Sequence, residues 1–588
     1  MNNQVLLLRN ILENPGITQR EIARKLDVSL GTVNHLYAEL TSGGMLSDGA
    51  VTAAGLKYLE PYRVDRAVIL AAGFGSRFVP LTWETPKGLI EVFGERMVER
   101  QIEQLRAAGI DDIFICVGYM KEKFEYLIDK YGVKLILNPE YDRKNTISTF
   151  YHAREAFAGH NVYICNSDNW LRDNMYHRYE PDAWYSAAYM EGPTAEWCLT
   201  INKKKLITHV TVGGNDSWAM YGPIYFSRAF SAKFFPELER YYHTPGREND
   251  YWEQVYVDWV NGDAGMKSAG CPELYANCQP ADQVYEFENL EELRAFDEKY
   301  IHTSDSSAMR VIARALSCGE GEITGLKNLK AGMTNRSFLF TFRGKQYICR
   351  VPGEGTDQLV NRREEYTCIR AISGTGISEN VLYYDPETGY KISEYYPDAR
   401  LADISSDADM QRCMALVRRL HTSGISVPHD FDIGRMLTFY EGLCMTHGGV
   451  PYQDYPEIRA KSLRTLSWLE SLSRKKVFAH IDPNVDNFLF IHDDKELKLI
   501  DWEYAGMADP LIDIAMCAIY SYQDKNGAER LLGFYNSDYT EEDLRVVYAY
   551  MSLGGLLWSL WAVYKQSLGV SFGEYTLIMY RYAKHVSC

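Results

Sequence analysis

The chain has 588 residues, with 62 basic side chains against 79 acidic ones and a formal net charge of -17. Apolar residues make up 46% and charged residues 24%, the make-up of folded globular domains, which excludes a disordered, collagen-like or disulfide-stapled chain. At ~100–200 residues per domain the length predicts about three or four domains. The acidic balance argues against a wholesale nucleic-acid binder and against an anionic membrane surface, but it leaves room for a local basic pocket around a nucleotide.

Twelve cysteines are spread along the chain without a Cys-x-x-Cys pair, the closest being Cys271 and Cys278. They read as reduced thiols packed like small hydrophobes. The first residues show no basic stretch and no small-residue cleavage site. The longest strongly apolar run, 554–564, is too short to cross a bilayer. These features predict a cytoplasmic protein with no membrane segment.

Residues 1–64 read as short helices. Thr18-Gln19-Arg20-Glu21 forms a capping box, in which the hydroxyl accepts a backbone N–H and the glutamate reaches back. Ser29 caps a second helix over 29–40, Gly43-Gly44 ends it, and 45–52 has the make-up of a small β wing. The pattern resembles a winged helix-turn-helix, which implies a possible DNA partner; the competing reading is a small packing module. Six basic residues (Arg9, Arg20, Arg24, Lys25, Lys57, Arg63) balance six acidic ones (Glu13, Glu21, Asp27, Glu39, Asp48, Glu60), whereas a DNA footprint usually needs a basic face.

From Pro61 the pattern changes. The apolar runs 67–70, 113–117 and 134–137 alternate with helical periodicity, as in an open parallel sheet covered by helices on both faces. After the first run comes Ala72-Gly73-Phe74-Gly75-Ser76-Arg77, expected between a strand and a helix, and then Thr85-Pro86-Lys87-Gly88. Gly73 and Gly75 let the backbone approach a triphosphate, whose charge meets the loop N–H groups, Arg77 and Lys87. These residues resemble the nucleotidyltransferase family, and within it the bacterial CTP:phosphocholine cytidylyltransferases, over about 65–302. The resemblance continues at Asn166-Ser167-Asp168-Asn169, Glu196-Trp197 and Tyr285-Glu286-Phe287-Glu288. It implies that Ala72, Gly73, Gly75, Ser76, Arg77 and Lys87 bind CTP, with Arg77 and Lys87 on its phosphates. It also implies that Asp168 holds Mg²⁺, with Glu288 or its rival Glu253 as the second carboxylate. A trimethylammonium group is recognised by ring faces and a nearby acid; Glu196-Trp197 and Trp252-Glu253 are the candidate phosphocholine walls.

From about 303 to 588, short strands precede a long helical region. His480-Ile481-Asp482-Pro483-Asn484-Val485-Asp486-Asn487 is followed, fourteen residues on, by Asp501-Trp502-Glu503. That order supplies a base (Asp482) and two metal ligands (Asn487, Asp501) in phosphotransferases of the protein-kinase-like fold. Arg350 stands where kinases carry a strand lysine, with Glu365 as its partner and Glu364 as the adjacent alternative. Gly332, Thr334 and Asn335 replace the glycine loop. The segment resembles bacterial choline kinases, which implies that Trp558 and Trp561, with Glu503 and Tyr575, wall a choline pocket beside ATP.

The fold expected is thus multidomain α/β and α+β: a winged helix-turn-helix (1–64), a Rossmann-like nucleotidyltransferase sheet (65–302) and a two-lobed protein-kinase-like fold (303–588). The two resemblances imply an enzyme making phosphocholine from choline and ATP, then CDP-choline from phosphocholine and CTP, with Mg²⁺. The rivals are the same chemistry on ethanolamine or a related amino alcohol, and a transcription regulator built from enzyme-like domains.

Overall fold

The computed structural model describes residues 2–329, 335–353, 360–570 and 572–586. The chain divides into two compact units, Met1–Ser306 and Ser307–Cys588.

The first unit opens with three helices, α1 (Asn3–Glu13), α2 (Gln19–Leu26) and α3 (Leu30–Ser42), followed by a two-stranded wing of Leu46–Ser47 and Ala50–Val51. The capping box forms as expected: Thr18 Oγ1 accepts from Glu21 N, and Thr18 N donates to Glu21, a cap contributing ~1 kcal/mol. Val5, Leu8, Ile22, Val33 and Leu40 close a small core that also takes in Tyr179 from the following domain.

That domain is built on a seven-stranded sheet in the order Tyr275–Gln279, Trp184–Ile201, Ile207–Phe226, Val162–Asn166, Arg66–Ala71, Ile113–Val117, Lys134–Leu137. The last four strands are mutually parallel. The sheet as a whole is mixed, because Ile207–Phe226 runs antiparallel to Val162–Asn166 and to Trp184–Ile201. Together the two long strands form a hairpin that the all-parallel expectation missed. No helix follows the glycine loop directly. Pro80 and Pro86 punctuate the chain, and three 3-10 turns (Ser76–Phe78, Leu81–Trp83, Lys87–Leu89) lead to the first helix at Met97–Ala107. Proline removes a donor and fixes φ, which suits tight turns better than a helix interior.

The second unit has a five-stranded antiparallel sheet, ordered Thr324–Asn328, Asn335–Phe342, Lys345–Pro352, Lys391–Glu394, Val381–Tyr384, followed by a helical lobe. In that lobe the helix Glu541–Ser567 has 27 residues and is apolar and long enough to cross a membrane, but 89% of its apolar window is buried inside the lobe. Gly555 lets the helix Tyr575–His585 approach; a Cβ there would lie 2.5 Å from Tyr582 Cβ. The described cysteines are all free.

Candidate active sites

In the first unit a cavity of about 570 Å³ lies at the carboxyl ends of the parallel strands. It is lined by the glycine loop (Ala72, Gly73, Gly75, Ser76, Arg77), Lys87, Asp168, Glu196, Trp197, Tyr221, Tyr251, Glu253, Glu286 and Glu288. Two glycines make it possible. Gly75 has φ +60°, and a Cβ there would meet Thr82 at 2.9 Å; a Cβ on Gly88 would come within 2.6 Å of Ser167. That close approach brings Lys87 Nζ to 2.7 Å from Asp168 Oδ2. Lys87 and Asp168 are therefore gathered on one point.

The second carboxylate differs from the expectation. Glu288 is half-exposed and ion-paired with Arg77 at the mouth of the cleft. It is Glu286 that turns inward: its strand, Val284–Glu286, pairs with Asn169–Leu171, and Asn169 Nδ2 donates to Glu286 Oε2 at 3.3 Å. Burial and the neighbouring Asp168 carboxylate push Glu286 above the ordinary range, and Lys87 offsets part of this. Two crowded carboxylates with one lysine between them form a donor set of hard oxygens short of positive charge, which fits a divalent cation brought in with a nucleotide.

Of the candidate headgroup walls, Trp252 is 2% exposed and lies flat on Phe150, ring centroids 4.1 Å apart. It lines the cavity all the same, with its ring packed into the core behind. Trp197 and Tyr251 meet edge to face at 6.0 Å on the wall of the cleft. Glu253 on the same cleft is half-buried, with Oε1 accepting from Tyr185 Oη at 3.3 Å and Oε2, itself buried, unpartnered. Burial pushes its carboxyl up to about 8, with Tyr185 opposing and the Glu286 charge adding to the rise. Glu253, bonded to Tyr185, lines the same cleft as Trp197 and Tyr251.

In the second unit, Asn487 Nδ2 donates to Asp482 Oδ2 at 3.2 Å and to Asp482 O at 2.9 Å. His480, fully buried and held neutral chiefly by burial, bonds through Nε2 to Ile500 O at 3.0 Å, the residue before Asp501. Arg350 Nη1 lies 2.6 Å from Glu365 Oε1 and 3.5 Å from Asp501 Oδ1. Burial would raise Glu365, yet Arg350 holds it lowered. Glu364, the adjacent residue in the first turn of the same helix, is half-buried. Asn335 Nδ2 donates to Glu503 Oε2 at 3.1 Å. Gly332 and Thr334, expected at the phosphates, lie outside the described residues.

Burial and the Asp501 and Glu503 charges push Asp482 well above the ordinary aspartate range, and burial with Asp501 likewise raises Glu503. Three carboxylates converge here, and cations entering with a nucleotide would relieve their repulsion. Among the described residues of either unit, no three His, Cys, Asp or Glu side chains are clustered as a ready-made metal site.

Aromatic rings extend from Asp482. Trp558 meets Trp561 edge to face at 6.3 Å, Tyr504 at 5.1 Å and Tyr520 at 5.6 Å, and Phe572 links Trp561 to Tyr575. Tyr504 and Tyr520 were not singled out from the sequence. Tyr504 directly follows Glu503 and could have been; Tyr520 ends a separate helix and left no local mark.

Asp513 was also missed as a site residue. Fully buried, it accepts from His480 N (2.9 Å) and Ile481 N (2.7 Å) and is braced by His421 Nε2 at 2.9 Å. Ile481 has φ +71°, a conformation a β-branched residue avoids at a cost of ~1–3 kcal/mol. Asp513 holds that strained turn, and so sets the direction of Asp482. Burial opposes its charge, but His421 and the backbone donors keep its carboxyl lowered. Its contribution to stability is thus full above the ordinary aspartate pKa of ~4 and is lost as pH falls below it. Asp513→Asn is expected to lower the kcat of phosphoryl transfer ~10- to 100-fold through misorientation, with KM for ATP nearly unchanged; steady-state kinetics checks this.

Comparison with known proteins finds matches in each of the three segments. A nucleotidyl transferase family model matches residues 66–187, a choline/ethanolamine kinase model residues 326–529 and a winged helix-turn-helix DNA-binding model residues 2–46. The 2-aminoethylphosphonate cytidylyltransferase of Lancefieldella rimae is 34% identical over 240 residues, covering 40% of this chain and 93% of its own length. The choline-phosphate cytidylyltransferase of Streptococcus pneumoniae is 30% identical over 233 residues, covering 40% of this chain and 97% of its own. The chain belongs to the nucleotidyl transferase family. A choline/ethanolamine kinase domain follows in the same chain, where Protein LicA of Haemophilus influenzae is 26% identical over 260 residues, covering 42% of this chain and 95% of its own. The protein is an enzyme with a cytidylyltransferase domain and a kinase domain in series.

Proposed function

We propose that the kinase domain phosphorylates choline with ATP and that the transferase domain joins the resulting phosphocholine to CTP, giving CDP-choline and pyrophosphate. The observation that supports this reading is the cluster of Trp558, Trp561, Tyr504 and Tyr520 rings; Tyr504 and Tyr520 lie within reach of the Asp482 charge, and the two Trp rings, 3% exposed, pack behind them. Ring faces stabilise a quaternary ammonium by ~0.5–2 kcal/mol each, whereas a primary ammonium needs hydrogen-bond acceptors.

In the kinase step the Asp482 carboxylate takes the choline hydroxyl proton as the oxygen attacks the γ-phosphorus and ADP leaves. Asn487 and Asp501 would hold Mg²⁺, and Arg350 would neutralise phosphate charge. In the transferase step a phosphocholine oxygen attacks the α-phosphorus of CTP in line and pyrophosphate leaves. Lys87 and Arg77 balance the phosphate charge, and Asp168 with Glu286 is positioned for Mg²⁺. When bound, the ion neutralises the charge that builds on the transferred phosphoryl group. Both nucleotide substrates are cytoplasmic, and the reading places the protein there.

The 34% identity to a 2-aminoethylphosphonate enzyme favours a second reading of the transferase alone. The fused kinase speaks against it, because phosphorylating an alcohol gives a phosphate ester and a phosphonate needs no such step. The helix-turn-helix match leaves DNA as a conceivable further ligand, though α3 carries no Lys or Arg. The test compares choline with ethanolamine as phosphoryl acceptors, and phosphocholine with 2-aminoethylphosphonate as cytidylyl acceptors. Choline and phosphocholine are expected to have the higher kcat/KM; preference for ethanolamine or the phosphonate would overturn the assignment.

At pH 9, where Glu253 is charged, Glu253→Gln is expected to raise KM for phosphocholine about tenfold, the scale of one charge-assisted contact, with little effect at pH 7. The Glu253 carboxyl is protonated below about 8, so the native enzyme should bind the cation more tightly as pH rises from 7 to 9. The variant should lose that trend.

A further inference from the structure

The first helix, α1, reaches into the transferase fold. Arg9 Nη1 lies 2.8 Å from Glu180 Oε2 and donates to Tyr179 O at 3.1 Å, with the two side chains 11% and 4% exposed. Glu180 Oε1 accepts from Tyr163 Oη at 2.7 Å, and its backbone N donates to Tyr62 O. Asn2 N donates to Asp182 Oδ2 at 2.8 Å. Tyr179 completes the apolar core of the winged helix. The anchored stretch, 179–182, leads directly into the strand Trp184–Ile201, which carries Tyr185, the donor to Glu253, and then Glu196 and Trp197. The exposed face of α3 meanwhile offers Leu30, Gly31, Thr32, Asn34, His35 and Ala38, with no cation to meet a phosphate backbone.

We propose that the winged helix is a fixed clamp of the cytidylyltransferase, in which Arg9 and Glu180 are positioning residues that anchor the root of the strand bearing the headgroup wall. This rests on the transferase reading above. The clamp acts on one end of the cleft only: the glycine loop and Lys87, where CTP phosphates would bind, make no contact with Arg9 or Glu180.

The test uses the full chain with Arg9→Met, Arg9→Lys and Glu180→Gln, measuring KM for phosphocholine, KM for CTP and kcat of the transferase. Wild-type turnover, measured first, tests the reaction itself, so failure there is distinct from failure of the clamp. Arg9→Met and Glu180→Gln are expected to raise KM for phosphocholine fivefold or more while KM for CTP stays within twofold. Arg9→Lys, which keeps the charge, should fall between them and the wild type. Should Glu180→Gln prove insoluble, the two Arg9 variants decide. A mere loss of stability would lower the active fraction and leave both KM values alone. That result, or an equal rise in both, would overturn the proposal.

Discussion

Replacing Asp482 by Asn should abolish phosphocholine formation, with kcat falling ~10³-fold or more, while CDP-choline synthesis from supplied phosphocholine continues at the wild-type rate. General bases contribute ~10²–10⁴. Here the side chain also shares Asn487 with the proposed ion site, since Asn487 Nδ2 bonds to Asp482 Oδ2. Asparagine preserves the volume and can still accept from Asn487, so the fold should survive and the loss should report chemistry. The carboxylate is crowded by Asp501 and Glu503; removing one of three like charges should leave the unfolding temperature unchanged or raise it. Separate assays of the two half-reactions, with thermal unfolding as the control, check the prediction.

Asp168→Asn should do the reverse. Transfer from CTP should fall ~10³-fold, the scale lost when one preorganised charge at a phosphoryl centre is removed, while choline phosphorylation is untouched. Lys87 Nζ would lose its partner at 2.7 Å and Glu286 its repelling neighbour. The Glu286 carboxyl should then titrate lower, yet it cannot replace Asp168, because Asn169 holds it on the facing strand. If either substitution silenced both reactions in a folded protein, two independent sites would be the wrong account.

What the sequence disclosed about these sites follows the range of the interactions. The 480–487 and 73–87 stretches each keep their marked residues within one short run, which is why the resemblance could be seen there, and Lys87 and Asp168 do meet. The wing, the Thr18 cap and the Arg350–Glu365 pair were local or strand-to-helix in the same way. Glu286 and Glu288 could not be told apart from sequence: the strand ends at Glu286, and only its pairing with Asn169 decides which acid turns inward. Trp252 and Trp197 look alike in a sequence; both line the cleft, but Phe150 lies flat on the one and Tyr251 meets the other edge to face. Tyr520 and Asp513 are brought beside Asp482 by packing between elements far apart in the chain, and nothing local marks them.

The two steps share one intermediate, and a single time course tests whether one chain performs both. Purified protein is incubated with choline, ATP, CTP and Mg²⁺ and followed by ³¹P NMR. Phosphocholine should rise first, then give way to CDP-choline and an equal amount of pyrophosphate; with CTP omitted, phosphocholine should accumulate alone. ATP and CTP left intact, or phosphoryl transfer that never yields CDP-choline, would contradict the account.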